Sequence, residues 1–557
     1  MVRILSPGAP MVVALVLCSA TAAATVLTGS VTRDGQPLAG ALVTLSDTKH
    51  LVSETVLSDA KGQYRLKTRL TGVLGLRARA PLSADMIAEV SIPNDSVRLT
   101  KSFGLKRLTE AQAISDSLPA SAHFTKIKFP SAELQKQFQL DCLSCHPIGN
   151  PFTRMPRPSE NWTAIVGMMT RYCGYSTDVR VADYAGALQK AFDGSLSPAH
   201  ERTTVAPEAL NSRVTEWKIA AGQIAHDTEF NHFDGKFYTT DEAIDQIYIT
   251  DTRTNVTTAV PLPEAGVPVG GSFAERGFPI PFNLTSRHGL HSMQVGSDGL
   301  IYTTGAIGGE IGVFDPVAHT YKVHRIGGSS LYPHTLRFDS KGIIWFTMFL
   351  SNQVGRFDPK TQEIKVIDLP TKMVRKDERS TGTYGLDINP LDGSIWYSKL
   401  WANMIGRIDP NTLKVEEFEP PVFGPRRLRF DHDGNLWIPG FGDGTLAKLD
   451  TRTMKYTVHK IPPLADDEVE APYAVGVDPK TQDVWITANQ SDRMFRFIQK
   501  SSQFIAYPLP SRGTYMRDVI FPGDGRVCSS SNPMPPLPLV VEGGMDSLIC
   551  IEPEGNT

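Results

Sequence analysis

The stretch Tyr332-Pro-His-Thr-Leu-Arg-Phe-Asp-Ser-Lys-Gly-Ile-Ile-Trp-Phe-Thr347, continued by Asn352-Gln-Val-Gly-Arg-Phe-Asp-Pro359, decides the fold. It reads as a strand, an Asp-Gly-type turn, an aromatic strand, a second turn and a third strand. The pattern recurs in Leu386-Asp-Ile-Asn-Pro-Leu-Asp-Gly-Ser-Ile-Trp-Tyr-Ser398 with Met404-Ile-Gly-Arg-Ile-Asp-Pro410, and in Leu428-Arg-Phe-Asp-His-Asp-Gly-Asn-Leu-Trp437 with Leu446-Ala-Lys-Leu-Asp450. Earlier copies end at Tyr238 and Tyr302, later ones at Trp485 and Cys528, so seven units are expected at spacings of roughly 40 to 60 residues. Strand, turn and strand at such a period predict a seven-bladed β-propeller over 214–557, because radial closure protects the strand edges that an open solenoid leaves bare.

Upstream, 25–108 alternates β-branched with polar residues between Asp-Gly turns, which predicts a small antiparallel β-sandwich. Residues 109–132 read as a polar connection. From 130 to 200 the apolar spacing turns helical, with Leu134, Phe138 and Leu140 and then Trp162, Ile165 and Met169, so a small α-helical domain is expected there, one that the Cys142-Leu-Ser-Cys145-His146 motif within it makes cytochrome c-like. The fold class is therefore mainly β, with the propeller preceded by the sandwich and the helical domain.

At 557 residues and 41% hydrophobic composition the chain is long and apolar enough for several packed cores. A formal charge of -3 supplies no basic field for a polyanion, which argues against a nucleic-acid partner. Arg3, the apolar run from Met11 to Ala20 and the small residues ending at Ala24 form a secretory leader over 1–24, too short to span a bilayer. A periplasmic or secreted location follows, with no transmembrane segment after cleavage. In an oxidising compartment Cys528 and Cys550, on two neighbouring strand-like runs, are candidates for a disulfide. Cys173 is then left buried and unpaired.

Cys142-Leu-Ser-Cys145-His146 has the spacing of c-type haem attachment: the two thiols bond the macrocycle and His146 ligates the iron. A zinc site would require a second ligand pair at similar spacing, and only Cys173 lies nearby in sequence. For the sixth iron ligand, Met155, Met168 and Met169 all follow the motif, and a thioether suits an electron-transfer centre.

Three resemblances sharpen this reading. Gly29-Ser-Val31, Pro37-Leu-Ala-Gly-Ala-Leu-Val-Thr-Leu45 and Ser58-Asp-Ala-Lys-Gly-Gln-Tyr-Arg-Leu66 resemble the carboxypeptidase regulatory-like domain, which implies a non-catalytic accessory module. Glu160-Asn-Trp162-Thr-Ala-Ile-Val-Gly-Met-Met169 resembles the haem domain of quinohaemoprotein amine dehydrogenase, which implies Met169 as the axial ligand. The repeats over about 220–552 resemble virginiamycin B lyase (streptogramin lyase), whose units read Pro-His-Gly-Ile, Trp-Phe-Thr-Glu and Ile-Gly-Arg-Ile-Asp. That family implies a His general base and acidic residues holding magnesium, for C–O bond elimination on a cyclic depsipeptide. Here Tyr473 stands where the late His is expected, and the Glu position holds Asp241, Gly305, Met348, Lys399, Gly440, Ala488 and Ser531. Only the first is acidic, whereas magnesium wants carboxylate oxygens. Pyrroloquinoline quinone propellers usually have eight blades and a different Trp motif, which counts against that cofactor.

Aligning the repeats on their inner strand places His226, His291, His334, Tyr384, Arg426, Tyr473 and Arg517 at one level, the narrow mouth of the channel. All are polar or aromatic where a structural position would be apolar or Gly, which suggests a functional mouth. The three His are candidate ligands for an additional metal in the propeller; with the two Arg they also suit a small-molecule or anionic ligand. The expected function is an exported c-type haem protein, an oxidoreductase that couples electron transfer with a periplasmic donor or acceptor to oxidation or binding of a small molecule at this mouth. The alternatives are a lyase of the streptogramin type and a non-catalytic binding module.

Overall fold

The computed structural model describes residues 24–47, 49, 51–93, 97–197, 205–220, 224–281, 284–371, 379–532 and 546–555. The expected leader falls outside them, except for its last residue. The repeat forms consecutive four-stranded antiparallel sheets over 225–261, 290–325, 333–368, 383–418, 429–460 and 472–508, each with its strands in chain order. The first strand of each packs beside the first strand of the next. Buried Trp345, Trp396, Trp437 and Trp485, one in each of four aromatic second strands, fill the space between sheets. The protein is a mainly β propeller.

The last repeat is completed from upstream. Strand Val527–Ser531 pairs with Asp546–Glu552, which pairs in turn with Arg213–Ala220, the strand that precedes the first four-stranded sheet. Cys528 and Cys550 face each other in this pairing and are joined by a disulfide. Arg213–Ala220 then pairs on its other side with Val52–Leu57, from Arg213 opposite Val56 to Trp217 opposite Val52. Val52–Leu57 belongs to the N-terminal sandwich, so one seven-stranded sheet runs through both units. The pairing covers two strand edges that would otherwise be open. Within the sandwich, Thr25–Arg33 alternates buried and half-exposed side chains, and Leu27 and Val31 meet Val43, Leu45, Leu66 and Phe103 in one core.

The helical segment differs from expectation in two ways. Residues 109–132 are not a plain connection: they carry α1 (Ala111–Ser117) and α2 (Ala120–Phe124). Every residue of α2 is buried. Its polar His123 is satisfied by Ser115 O at 3.0 Å and Ser197 Oγ at 2.8 Å, and that is why polar composition misled. Three longer helices follow: α3 (Ala132–Cys142), opened by Ser131 Oγ accepting from Leu134 N at 3.1 Å, then α4 (Ser159–Tyr172) and α5 (Val181–Ala191).

Second, this segment is no separate body. Phe138, Leu140, Trp162, Val166, Tyr184 and Leu188 share one core with Tyr384, Trp401, Phe441, Tyr473 and Tyr515 of the propeller. At its centre the buried Asp141 carboxylate takes Arg379 Nη1 at 2.8 Å and the hydroxyls of Tyr175 and Tyr184 at 2.7 Å each. Gly174, at φ 80°, leaves room for the Trp401 ring, which a Cβ there would meet at 2.7 Å. The helices cap one end of the propeller channel.

Candidate functional site at the channel mouth

Five of the inner strands carry a local irregularity at the aligned position. The register with the second strand shifts between Ala225 and Thr228, Leu290 and Met293, Pro333 and Leu336, Thr383 and Leu386, and Pro472 and Ala474. A bulge re-aims side chains. Here it falls on His226, His291, His334, Tyr384 and Tyr473.

The aromatic strand explains how the bulges are held. Its fourth residue is Thr or Ser in nearly every repeat, and that hydroxyl bonds the carbonyl of the ring residue in the following repeat. Thr240 donates to His291 O at 3.0 Å, Thr304 to His334 O at 2.7 Å, Thr347 to Tyr384 O at 2.7 Å and Ser398 to Arg426 O at 2.6 Å. Thr487 donates to Arg517 O at 3.1 Å, and Ser530 to His226 O, which brings the circuit back to its start. The hydroxyls of Thr304, Thr347, Ser398 and Thr487 also accept a bulge N–H from their own repeat. Pro439 interrupts the series, and there a backbone bond from Arg427 N to Tyr473 O at 3.4 Å takes over.

The ring residues consequently converge. His226 and His291 have ring centroids 3.7 Å apart, His291 and His334 3.9 Å, and His334 and Tyr384 4.0 Å. Tyr384 and Tyr473 share a hydrogen bond at 2.9 Å. Arg426 lies 3.9 Å over the Tyr473 ring and donates to the Tyr384 hydroxyl at 2.7 Å; Arg517 Nη1 donates to the Tyr473 hydroxyl at 3.2 Å. All are buried. The mouth is closed by the helical cap: Arg426 Nη2 donates to Ser144 O at 2.9 Å, and the Tyr515 hydroxyl to Leu143 O at 2.8 Å and to Ser144 O.

Burial, reinforced by the arginine charges, holds His226, His291 and His334 well below the usual imidazole range, so the three are neutral. Burial alone would raise the Tyr473 phenol, but Arg427, Arg517 and Arg426 outweigh it and bring it below its ordinary value. A second layer of charge lies deeper. Arg427 pairs with Asp227 at 2.7 Å, and Asp518 pairs with Arg337 at 2.7 Å and with Arg429. Asp227 also accepts from His226 Nδ1 at 3.0 Å.

Above the ring, between α3, α4 and α5, lies a cavity of about 450 Å³ with mostly apolar walls that include Ile148, Trp162, Ile165, Val166 and Leu188. Cys142, Cys145, His146, Met168 and Met169 open onto it, whereas Met155 is not among its walls. His146 Nδ1 meets the Pro147 carbonyl at 3.3 Å; a carbonyl only accepts, so the proton is on Nδ1 and Nε2 keeps its lone pair. Burial keeps this imidazole neutral. Trp162 Nε1 is a buried donor with no partner among the described residues, and Arg157 stacks 5.1 Å from the Trp162 ring. Size, apolar walls, two thiols, an imidazole, a thioether and spare donors for carboxylates fit a haem. Zinc fits less well: among the described residues Cys142, Cys145, His146 and Cys173 do not gather within mutual ligand distance, and Cys173 bonds Asp141 O at 3.1 Å.

Several neighbours escaped the repeat alignment. Asp227, Arg427 and Asp518 each directly follow a ring residue, and one further step along the same alignment finds them. Glu242, whose carboxylate takes the Tyr332 hydroxyl and is pushed up to about 7 by burial, comes from the loop after an aromatic strand. Trp401 likewise follows such a strand, and no periodicity marks it.

No protein-family model and no curated protein matches the chain. It is similar to the solved structure of virginiamycin B lyase from Staphylococcus aureus, at 17% identity and a TM-score of 0.47, over 61% of this chain and 99% of that one. It is also similar to a streptogramin B lyase structure, at 18% identity and a TM-score of 0.48, over 62% of this chain and 99% of that one. Hydrazine synthase of Kuenenia stuttgartiensis is similar at 15% identity and a TM-score of 0.41, over 56% of this chain and 93% of that one. At these identities and TM-scores the likenesses say nothing about this chain's chemistry.

Proposed function

We propose that the chain is an exported c-type haem protein on a seven-bladed propeller, which passes electrons between a haem on Cys142 and Cys145 and a small molecule at the channel mouth. The observation that supports this reading is the position of Cys145. Together with Tyr172 and Cys173 it lines both the apolar cavity and a smaller polar one that holds the ring residues. In this reading His146 Nε2 and the Met169 thioether would hold the haem iron, Met168 being the more exposed of the neighbouring pair. The haem would supply one-electron chemistry. The chain's own residues exclude water with the walls around Trp162 and Val166, fix the His146 tautomer through Pro147, and orient a ligand with Arg426, Arg517 and the imidazoles. The partner is a periplasmic electron donor or acceptor. The test is a pyridine-haemochrome spectrum of full-length protein matured in a host with cytochrome c assembly machinery. One covalent haem per chain is expected, and none would overturn the reading.

A second reading rests on His226. Its Nδ1 is oriented by Asp227 at 3.0 Å, an arrangement that suits a general base for elimination. Chelator-sensitive ring opening of a cyclic depsipeptide by the full chain would favour that lyase reading over electron transfer.

A further inference from the structure

The smaller cavity has an unusual balance of donors and charge. It measures about 60 Å³, room for about four waters at roughly 15 Å³ each. Arg426, Arg517, His291, Trp401, Glu242 and Cys145 are among its walls. Arg426 and Arg517 are 1% and 4% exposed, and neither has a carboxylate within ion-pair distance among the described residues. Buried charges are normally paired. Arg427, one residue away, shows the ordinary solution in its bond to Asp227. In addition Arg426 Nε and Nη1, Trp401 Nε1 and His291 Nδ1 are buried without any hydrogen-bond partner among the described residues. The one carboxyl on the wall, Glu242, already takes the Tyr332 hydroxyl.

We propose that this cavity binds a small monovalent anion of about three or four heavy atoms, held by Arg426 and Arg517 with His291 and Trp401 as neutral donors. The proposal rests on reading the mouth as the ligand site and names the ligand's class. A planar oxyanion offers the acceptors that the unpaired N–H groups lack, and a guanidinium fork matches it. A cation is disfavoured. His226, Asp227 and His291 do bring ligand atoms within 4.8 Å of one another. However, Asp227 is committed to His226 and Arg427, and two further arginines face the same space.

Calorimetric titration of the full-length holoprotein with formate, bicarbonate and nitrate tests this. Saturable binding of at least one at a single site is expected, weakened about tenfold or more by Arg426→Met and by Arg517→Met. Trp401→Phe keeps the ring and removes one donor; it should weaken binding by a smaller factor and serves if the arginine variants do not fold. No saturable binding by the native chain would overturn the proposal, as would unchanged affinity in folded variants. So would a stoichiometric transition metal, beyond haem iron, that is lost in His291→Gln. Haemochrome spectra of the same samples separate the two claims. Anion binding without covalent haem sinks electron transfer and leaves this site, and covalent haem without anion binding does the reverse.

Discussion

The two cavities that meet at Cys145 are opposites. The upper one, about 450 Å³, is walled by Ile148, Trp162, Val166 and Leu188 from a helical segment. The lower one, about 60 Å³, is walled by imidazoles, tyrosines and guanidinium groups from strands. Their difference follows from how each is built. Helices offer a continuous apolar stripe, so what they enclose is roomy and mostly apolar-walled. Bulged strands converging on an axis each deliver a polar group, so what they enclose is tight and charged. The size and walls of the first suit the large flat cofactor proposed for it, and those of the second the small hydrogen-bonding ligand proposed there.

The comparison fails first if the upper cavity holds no haem. Replacing Cys142 and Cys145 together by Ala should abolish covalent haem outright, read as loss of haem staining on a denaturing gel, with the propeller still folded by circular dichroism. Next in size, Arg379→Met would strand the buried Asp141 carboxylate between cap and propeller. A loss of about 3–5 kcal/mol is expected in denaturant unfolding, with faster amide exchange in α3 and α5. Thr347→Val removes a hydroxyl that joins Thr335 N to Tyr384 O and leaves both buried. This should cost about 1–3 kcal/mol while haem content stays constant, which separates ring geometry from cap geometry.

The smallest effect concerns acid. His291 is held neutral, with its folded pKa well below 6.5, so below that pH the unfolded chain takes up a proton that the folded chain refuses. Stability present above pH 6.5 is therefore lost as the pH falls. His291→Gln should reduce the slope of stability against pH below 6.5 by up to about 1.4 kcal/mol per pH unit, measured by urea titrations at several pH values. An unchanged slope would mean that the imidazole is protonated or solvated when folded.

Much of this arrangement was legible in the chain. The Trp-Phe-Thr347, Trp-Tyr-Ser398 and Trp-Ile-Thr487 triplets mark the strand and also the hydroxyl that fixes the bulge, because backbone geometry repeats with the sequence. Residues such as His334 and Tyr384 could therefore be aligned without coordinates. Trp401 and Glu242 sit in loops, where no period constrains them. The burial of His123 and Asp141 was hidden for a different reason: a polar side chain looks solvated in sequence until its partners, here Ser197 and Arg379, are brought to it by distant segments. The docking of the cap escaped for the same cause, and so did the pairing of Val52–Leu57 with Arg213–Ala220, since each joins segments far apart in the chain.

That strand pairing also governs how the cap can leave. The chain enters the helical segment from Phe103–Leu105 of the sandwich and returns on Arg213–Ala220, which pairs with Val52–Leu57 of that same sandwich, so the helical segment is a loop fastened at both ends to the body it covers. A cap held this way experiences the mouth at an effective concentration on the order of millimolar or above even after its own contacts are broken. Undocking is then followed by recapture rather than escape. Exchange of anything held beneath Cys145 should be timed by brief local openings, and it should be insensitive to dilution of the protein.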